Sequence, residues 1–585
     1  MAVPGHPIHG AQQLDHAVAG DPVERVLYPT GESVAHQTDF FCGSVQTDDL
    51  RTRFVEGGAP CAYSTGRRLC INSHHERRPP IVTPEQAYTE LVRLSRDETV
   101  LSSCLDLVEW DEEVCMPRGG AEHRAEQTAL LAGLVHDRAV DPRYEELLAV
   151  VEGSPLVADA ESPAAVNIRE LRRGFDRERR LPRRLVEESA RVATLASQQW
   201  LASREQADFK PFARWLTRSF ELAREEADAV GYAEVPYDAL LDDYEPGLTT
   251  RRVSALFTQL QAALVSLVDS LRGMPAPAPA HVLAREFPID RQRLFFEGVA
   301  TSLGFDFERG RLDVGRHPFC TSIGPGDVRI AIRYHPRNFA QGLFALLHEV
   351  GHALYDQGLD ADHYGSPIGK AMSLGLHESQ SRLWENLVGR SHGFWAHFYP
   401  QLRGSFHEAL HDVSLDTFRR VINHAAPGVI RVQADEVTYD LHIIIRFELE
   451  RALLSGDLLA ADLPGAWSEA YQRYLGVTPK NDREGCLQDG HWAEGLIGYF
   501  PTYTLGNVYA AQLFAAAERA LGSLDDTFAA GDFRTLRDWL GEHVHRHGSR
   551  FSAAGTIERA TGSAPDPSAL IDSLTRRYAL QAKAG

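Results

Sequence analysis

From residue 83 onward, apolar residues recur every three or four positions through most of the chain, with polar and charged residues between them. Stretches with this spacing run Ala87 to Ser95, Leu185 to Trp200, Phe212 to Val230, Val253 to Leu271, Phe339 to Tyr355, Thr438 to Leu454 and Val508 to Leu521. A period near 3.6 collects such residues on one helix face, so the pattern predicts a mainly α fold. The first long helix is expected to begin at Thr83-Pro84-Glu85-Gln86, which supplies a capping hydroxyl, a proline at the first helical position and a glutamine able to return the cap. One segment departs from the helical period. Phe319 to Tyr334 holds Thr321-Ser322-Ile323, the turn residues Gly324-Pro325-Gly326-Asp327, and the strictly alternating Val328 to Tyr334, which together predict a small β-hairpin. Residues 1–82 sustain no period: Gly, Pro, His and Asp interrupt every short apolar run, and the stretch ends in His74-His75-Glu76-Arg77-Arg78-Pro79-Pro80. The pattern therefore divides the chain into an extension at 1–82, expected to be poorly ordered, and a folded domain at 83–585.

Composition narrows the class. Hydrophobic residues make up 43% and charged residues 24%, with a mean hydropathy of -0.28, the proportions of a globular chain that folds in water. Lys+Arg 60 against Asp+Glu 81 gives a net charge of -21, which repels phosphate backbones and anionic head groups and argues against a nucleic-acid partner. The 7 cysteines form no CxxC pair, so neither a disulfide framework nor a thiolate zinc site is expected, and a reducing cytoplasm is the simplest compartment. No apolar run follows a basic start in the first 30 residues, and no apolar stretch of 18 residues is apparent, so no membrane partner is expected.

The strongest chemical signal is His348-Glu349-Val350-Gly351-His352, set within the apolar residues Phe344 to Leu347 and Ala353 to Tyr355. On a helix, positions i and i+4 lie one turn apart on one face, so both imidazoles can reach a single Zn²⁺ while Glu349 stands beside the open coordination position as a base. Two histidines do not hold a catalytic metal, and a third ligand is required. The metzincin continuation needs Gly at 355 and His at 358, where this chain has Tyr355 and Gly358, so that subclass is excluded. A carboxylate from a second helix is the remaining source: Glu378 in His377-Glu378-Ser379-Gln380, with Glu385 as the competing ligand. Thermolysin-like enzymes carry an acid four residues beyond the ligand Glu, whereas position 382 is Arg382, which sets that subgroup aside.

These residues resemble the carboxypeptidase Taq family of HEXXH zinc metallocarboxypeptidases, and the likeness extends past the zinc motif. His317-Pro318-Phe319 resembles the family's HPF element, Asp327-Val328-Arg329-Ile330 its DxRxT element, and Glu378 sits in its HES(Q/G) element. Ile430 to Asp435 resembles IRxxAD, and Gly485 to Trp492 resembles GxxQDxHW. The DxRxT element ends here in Ala331 instead of Thr, which removes a hydroxyl and argues against a catalytic role for that position. The resemblance covers about residues 83–585 and implies a large, mainly helical, cleft-containing metallopeptidase fold with a small sheet near the site, a homodimer, and a Zn²⁺ or Co²⁺ requirement. It implies release of single residues from peptides with a free C-terminus, with broad specificity.

A carboxypeptidase must bind a free α-carboxylate, for which a planar guanidinium is well suited, and Arg431 in the IRxxAD match is the first choice. Without the resemblance, Arg431 would read as a surface ion pair. Zinc peptidases often aim a His and a Tyr at the developing oxyanion; His491 and one of Tyr499 or Tyr503 fit, with Tyr503 favoured as the donor and Tyr499 as a second carboxylate contact. Pro501 is expected to make a break from which a tyrosine projects. Gln488 is assigned to substrate binding, Asp435 and Asp356 are possible partners of the metal-bound histidines, and His377 and His317 are neighbours of the site. Trp110 and Met116 read as packing, and the run Asp111 to Glu113 as a solvated face. Two competing readings are a helical zinc oligoendopeptidase or dipeptidyl carboxypeptidase, and a non-catalytic metal-binding scaffold whose site is vestigial.

Overall fold

The computed structural model describes residues 82–272 and 280–582; the expectation for residues 1–81 lies outside them. The elements that build the site are helix α1 (Pro84–Val114), helix α2 (Thr250–Leu271), strands β1 (Gly310–Val314), β2 (Phe319–Gly324) and β3 (Asp327–Ile332), and helices α3 (Phe339–Gly358), α4 (Leu374–Arg382), α5 (Tyr439–Ser455) and α6 (Pro501–Leu521). The described chain is mainly helical, as the periodicity predicts. Helix α1 starts where expected, with both halves of the capping box formed between Thr83 and Gln86.

The predicted hairpin forms, but it belongs to a three-stranded sheet of order β1-β3-β2, in which β2 runs antiparallel and β1 parallel to β3. Strand β1 escaped the sequence reading because Gly310-Arg311-Leu312-Asp313-Val314 is short and carries two charges, and its pairing is with a strand beyond its neighbour. On β3 the alternation sorts the two faces: Val328, Ile330 and Ile332 enter the main core, whereas Ala331 packs against Trp110 and Phe319 in a separate cluster. The methyl of Ala331 thus faces an apolar environment that joins the sheet to α1, and Trp110 is packing, as read.

Helix α2 corrects one expectation: Thr250–Leu271 is long and apolar enough, by length and composition, to cross a membrane. In the fold, Val253, Phe257, Leu260, Leu264 and Val268 form one face of it and lie in the core, as in a core helix of a large protein. The central core is continuous from α2 through α3, α4, α5 and α6, with Trp384, Trp395 and Trp467 fully buried.

The feature that positions the site is the close passage of α4 between α3 and α6. A Cβ on Gly351 of α3 would lie 2.5 Å from the Gln380 carbonyl oxygen, and one on Gly506 of α6 would lie 2.6 Å from Cγ of Glu378. Side chains at these two positions would push α4 off its neighbours. Helix α4 is fixed at its start by the Ser373 hydroxyl, which accepts from the Leu376 N–H at 3.1 Å, and by buried Glu245, which accepts from the Gly375 N–H at 3.1 Å. It continues into a π-helical turn at Leu383–Val388, a wider winding that resets the direction of the side chains beyond Arg382.

Candidate active site

Helix α3 carries His348 and His352 one turn apart, and α4 brings Glu378 across from them. Nε2 of His352 is 3.5 Å and Nε2 of His348 is 3.7 Å from Oε2 of Glu378. Ligands about 2.0–2.2 Å from a tetrahedral Zn²⁺ stand about 3.3–3.6 Å apart, so the three side chains fit such an ion with little adjustment. Among the described residues these three form a single group of potential metal ligands. Glu349 is buried beside them, and its Oε2 has no hydrogen-bond partner within the protein, the condition of a carboxylate that serves a bound molecule.

Glu385, read from the sequence as the competing ligand, has a different place. Its Oε2 lies 3.0 Å from Nδ1 of His348, which fixes that imidazole so that Nε2 faces Glu378. Arg382 ties the two carboxylates together: Nε donates to Oε1 of Glu378 at 2.7 Å and Nη1 to Oε2 of Glu385 at 3.2 Å. By engaging Oε1, the guanidinium leaves Oε2 of Glu378 toward the histidines. The expected histidine partners Asp356 and Asp435 are both corrected. Asp356 lies 3.0 Å from Nε2 of His377, whose ring stacks on His352 at 4.5 Å. Asp435 accepts from the N–H groups of Ala426, Val437 and Thr438, so it organises the approach to α5 and touches no ligand.

The electrostatics follow from burial and proximity. Burial would lower the His348 pKa, but Glu378, Glu385 and Glu349 outweigh it and carry His348 up to about 9. His352 is pulled down to about 3, first by burial and then by the charge of His377. Burial would raise Glu378 and Glu385, yet Arg382 and His348 hold Glu378 far below the usual carboxylate range and Glu385 at about 2. Burial pushes Glu349 up to about 7, with His348 opposing and Glu378 and Glu385 adding to the rise.

A second constellation adjoins the first. Asp489, from the loop before α6, receives Arg431 through Nε at 3.0 Å and Nη2 at 2.8 Å, and Arg446 of α5 through Nε at 2.6 Å. Burial opposes the Asp489 charge, but the two guanidiniums hold its carboxyl well below the ordinary range. Arg431 is only 1% exposed, so the reading of a surface ion pair is excluded. Its guanidinium lies 5.3 Å from the Tyr503 ring centre, and Tyr503 Oη is 3.2 Å from Nε2 of His491. The Tyr499 ring lies 5.6 Å from His491 and 5.3 Å from Tyr503. Pro501 proves to be the first residue of α6, where its missing N–H costs nothing, and Tyr503 extends from the first helical turn. Arg431, His491, Tyr499 and Tyr503 are thus brought together.

Gln488 is corrected. Its Oε1 accepts from the Arg431 N–H at 2.9 Å, and Nε2 donates to the carbonyls of Val429, Glu484 and Gly485 at 3.0, 2.9 and 3.1 Å. With both amide ends bound to backbone, it holds the Arg431 segment in place. His317 is partly buried, and burial lowers its pKa. Four members of the site were not assigned from the sequence. Arg382 had a local signal, an i,i+4 Glu–Arg spacing on α4; Tyr439, Arg446 and Asp489 meet their partners only through the fold.

The helical fold, the paired histidines one turn apart, the carboxylate on the adjacent helix and the buried glutamate define a metallopeptidase of the HExxH type. The model of the carboxypeptidase Taq (M32) metallopeptidases matches residues 90–578, and the chain belongs to this family of metallocarboxypeptidases, which are peptide hydrolases. It is 47% identical over 508 residues to a thermostable carboxypeptidase 1 of Thermus thermophilus, covering 85% of this chain and 99% of the relative. It is 36% identical over 477 residues to carboxypeptidase 1 of Bacillus subtilis, covering 82% and 95%. The crystal structure of the M32 carboxypeptidase from Deinococcus radiodurans is similar with a TM-score of 0.82 at 39% identity, covering 85% of this chain and 99% of that one.

Proposed function

We propose that the chain is a Zn²⁺-dependent carboxypeptidase that removes single residues from peptides with a free C-terminus, with Co²⁺ able to replace Zn²⁺. The observation that supports the metal reading most is the fit of His348, His352 and Glu378 to a tetrahedral ion. Such an ion supplies Lewis acidity toward the scissile carbonyl and the attacking water. Glu349 accepts the water proton and delivers it to the leaving amine. His491 and Tyr503, whose side chains meet at 3.2 Å, donate toward the developing oxyanion. Arg431 receives the terminal carboxylate, with Tyr499 as a second contact; two guanidiniums around the single Asp489 carboxylate give this end of the site a positive field.

The assembly proposed is a homodimer, an expectation that rests on the family resemblance and is checked by sedimentation velocity. The compartment proposed is the cytoplasm; among the described residues Cys104, Cys115, Cys320 and Cys486 are all free thiols, which suits a reducing environment. The deciding experiment is a mass-spectrometric time course of the zinc-loaded protein with an unblocked decapeptide. A ladder of single-residue losses from the C-terminus is expected. Internal cuts or dipeptide losses overturn the positioning by Arg431, and an untouched peptide with zinc bound overturns catalysis.

A further inference from the structure

The metal ligands and the carboxylate clamp are joined by one phenol. Tyr439, in the first turn of α5, is buried, and its hydroxyl oxygen accepts from Nη2 of Arg382 at 2.9 Å and from Nη1 of Arg431 at 3.2 Å. Arg382 is the guanidinium whose other nitrogens hold Glu378 and Glu385. Arg431 is the guanidinium whose other nitrogens hold Asp489. The hydrogen bonds therefore run without a gap from Asp489 through Arg431, Tyr439 and Arg382 to Glu378, and through Glu385 to His348.

We propose that Tyr439 is a positioning residue that couples occupancy of the C-terminal carboxylate site to the geometry of the metal ligands. The inference rests on the reading of Arg431 as the group that receives the terminal carboxylate. Its physical basis is that a guanidinium is rigid and planar, so its donors move together. An incoming carboxylate that draws Arg431 toward itself changes the Nη1 contact with Tyr439, and Tyr439 is the hinge through which Arg382 feels the change. Arg382 in turn fixes which oxygen of Glu378 faces the histidines. Arg382 and Arg431 are also like charges brought to one small dipole, and the phenol oxygen is what lets both approach. A peptide lacking the free carboxylate makes no such demand on Arg431, so the metal ligands are placed best only for the correct substrate end.

The test uses Tyr439→Phe in the full chain, which keeps the ring and removes the shared oxygen. Two quantities are read: the zinc dissociation constant, by competition with a chromophoric chelator, and kcat/KM on one peptide with a free or an amidated C-terminus. Expected are a rise in the zinc dissociation constant of about tenfold, the lower range for removing a group behind a metal ligand, and a fall of about tenfold in the free-to-amidated ratio. Wild-type values of both overturn the proposal, and so does weakened zinc binding with an unchanged ratio, which would make Tyr439 a support of the metal half alone. Arg431→Lys in the same assays separates the two readings. An unchanged ratio there removes the clamp and the coupling with it, whereas a collapsed ratio there beside an unchanged one in Tyr439→Phe leaves the clamp standing and overturns the coupling. Should Tyr439→Phe fail to fold, Arg382→Lys takes its place: it keeps a cation at Glu378 but cannot span three partners, and an unchanged free-to-amidated ratio in it overturns the proposal.

Discussion

Glu349 shows how one side chain acquires a role from its surroundings. A carboxylate between two histidines on a helix would titrate as an ordinary acid in water; burial and the neighbouring Glu378 and Glu385 raise it to about 7 in the metal-free protein, and an oxygen is left without a protein partner. Glu349→Gln is isosteric and leaves all three ligands in place, so it is expected to retain one zinc per chain, measured by atomic emission. Its turnover is expected to fall by about 10²–10⁴-fold, the contribution of a general base; substantial remaining activity would assign the proton to another group. Arg431 is buried against Asp489, and its proposed role as the receiver of the terminal carboxylate is open to a direct test. Arg431→Ala is expected to cost about 2–5 kcal/mol in kcat/KM on peptides with a free C-terminus, the range for stripping one partner from a buried charge pair. An equal loss on the amidated peptide would contradict its assigned contact.

At the scale of elements, the metal site is a consequence of helix spacing. The glycines at 351 and 506 let α3 and α6 approach α4 so closely that Glu378 stands opposite the two histidines. Gly506→Ala places a methyl carbon against Cβ and Cγ of Glu378 and is expected to shift that carboxylate while leaving helix content intact. Zinc affinity is expected to fall by about 10–100-fold, as for other displacements behind a ligand. Chelator competition together with circular dichroism checks both parts, and wild-type zinc affinity would mean that α4 relaxes without moving its carboxylate. The π-helical turn after α4 has a related role: it is the element from which Glu385 reaches Nδ1 of His348 in place of the metal. Sequence spacing alone left Glu378 and Glu385 as alternatives, because both lie on the same segment and either carboxylate could approach.

Across the whole molecule, the site joins segments far apart in the chain, and its buried charges make stability depend on acid. Asp489 lies between two guanidiniums, and its pKa is depressed in the folded state. A depressed carboxyl contributes stability that is present above its unfolded value near 4 and is lost as the pH falls. Glu385 and Glu378 act in the same direction, so the metal-free protein is expected to lose stability as pH falls below about 4. Asp489→Asn leaves Arg431 and Arg446 around a neutral amide and is expected to cost about 3–5 kcal/mol at neutral pH. It is also expected to show a shallower acid-side loss, because one of the protons taken up on unfolding is gone. Urea unfolding of the metal-free proteins between pH 3 and 7 checks the sign; a steeper acid dependence in the variant would overturn it.

The amino-acid sequence by itself determined the helical character of the chain, the start of α1, the hairpin of β2 and β3, the two histidines and the glutamate between them. Each of these depends on residues a few positions apart, where the geometry of a helix or a strand converts spacing directly into neighbourhood. Only the tertiary structure decided that Glu385 orients His348, that Gln488 supports Arg431 from behind, that Asp489 receives two arginines, and that Tyr439 bridges Arg382 and Arg431. Arg382 and Tyr439 are separated by 57 positions and Arg431 and Asp489 by 58. Over such distances no local period relates one side chain to another, and their meeting is set by how closely the helices pack around α4.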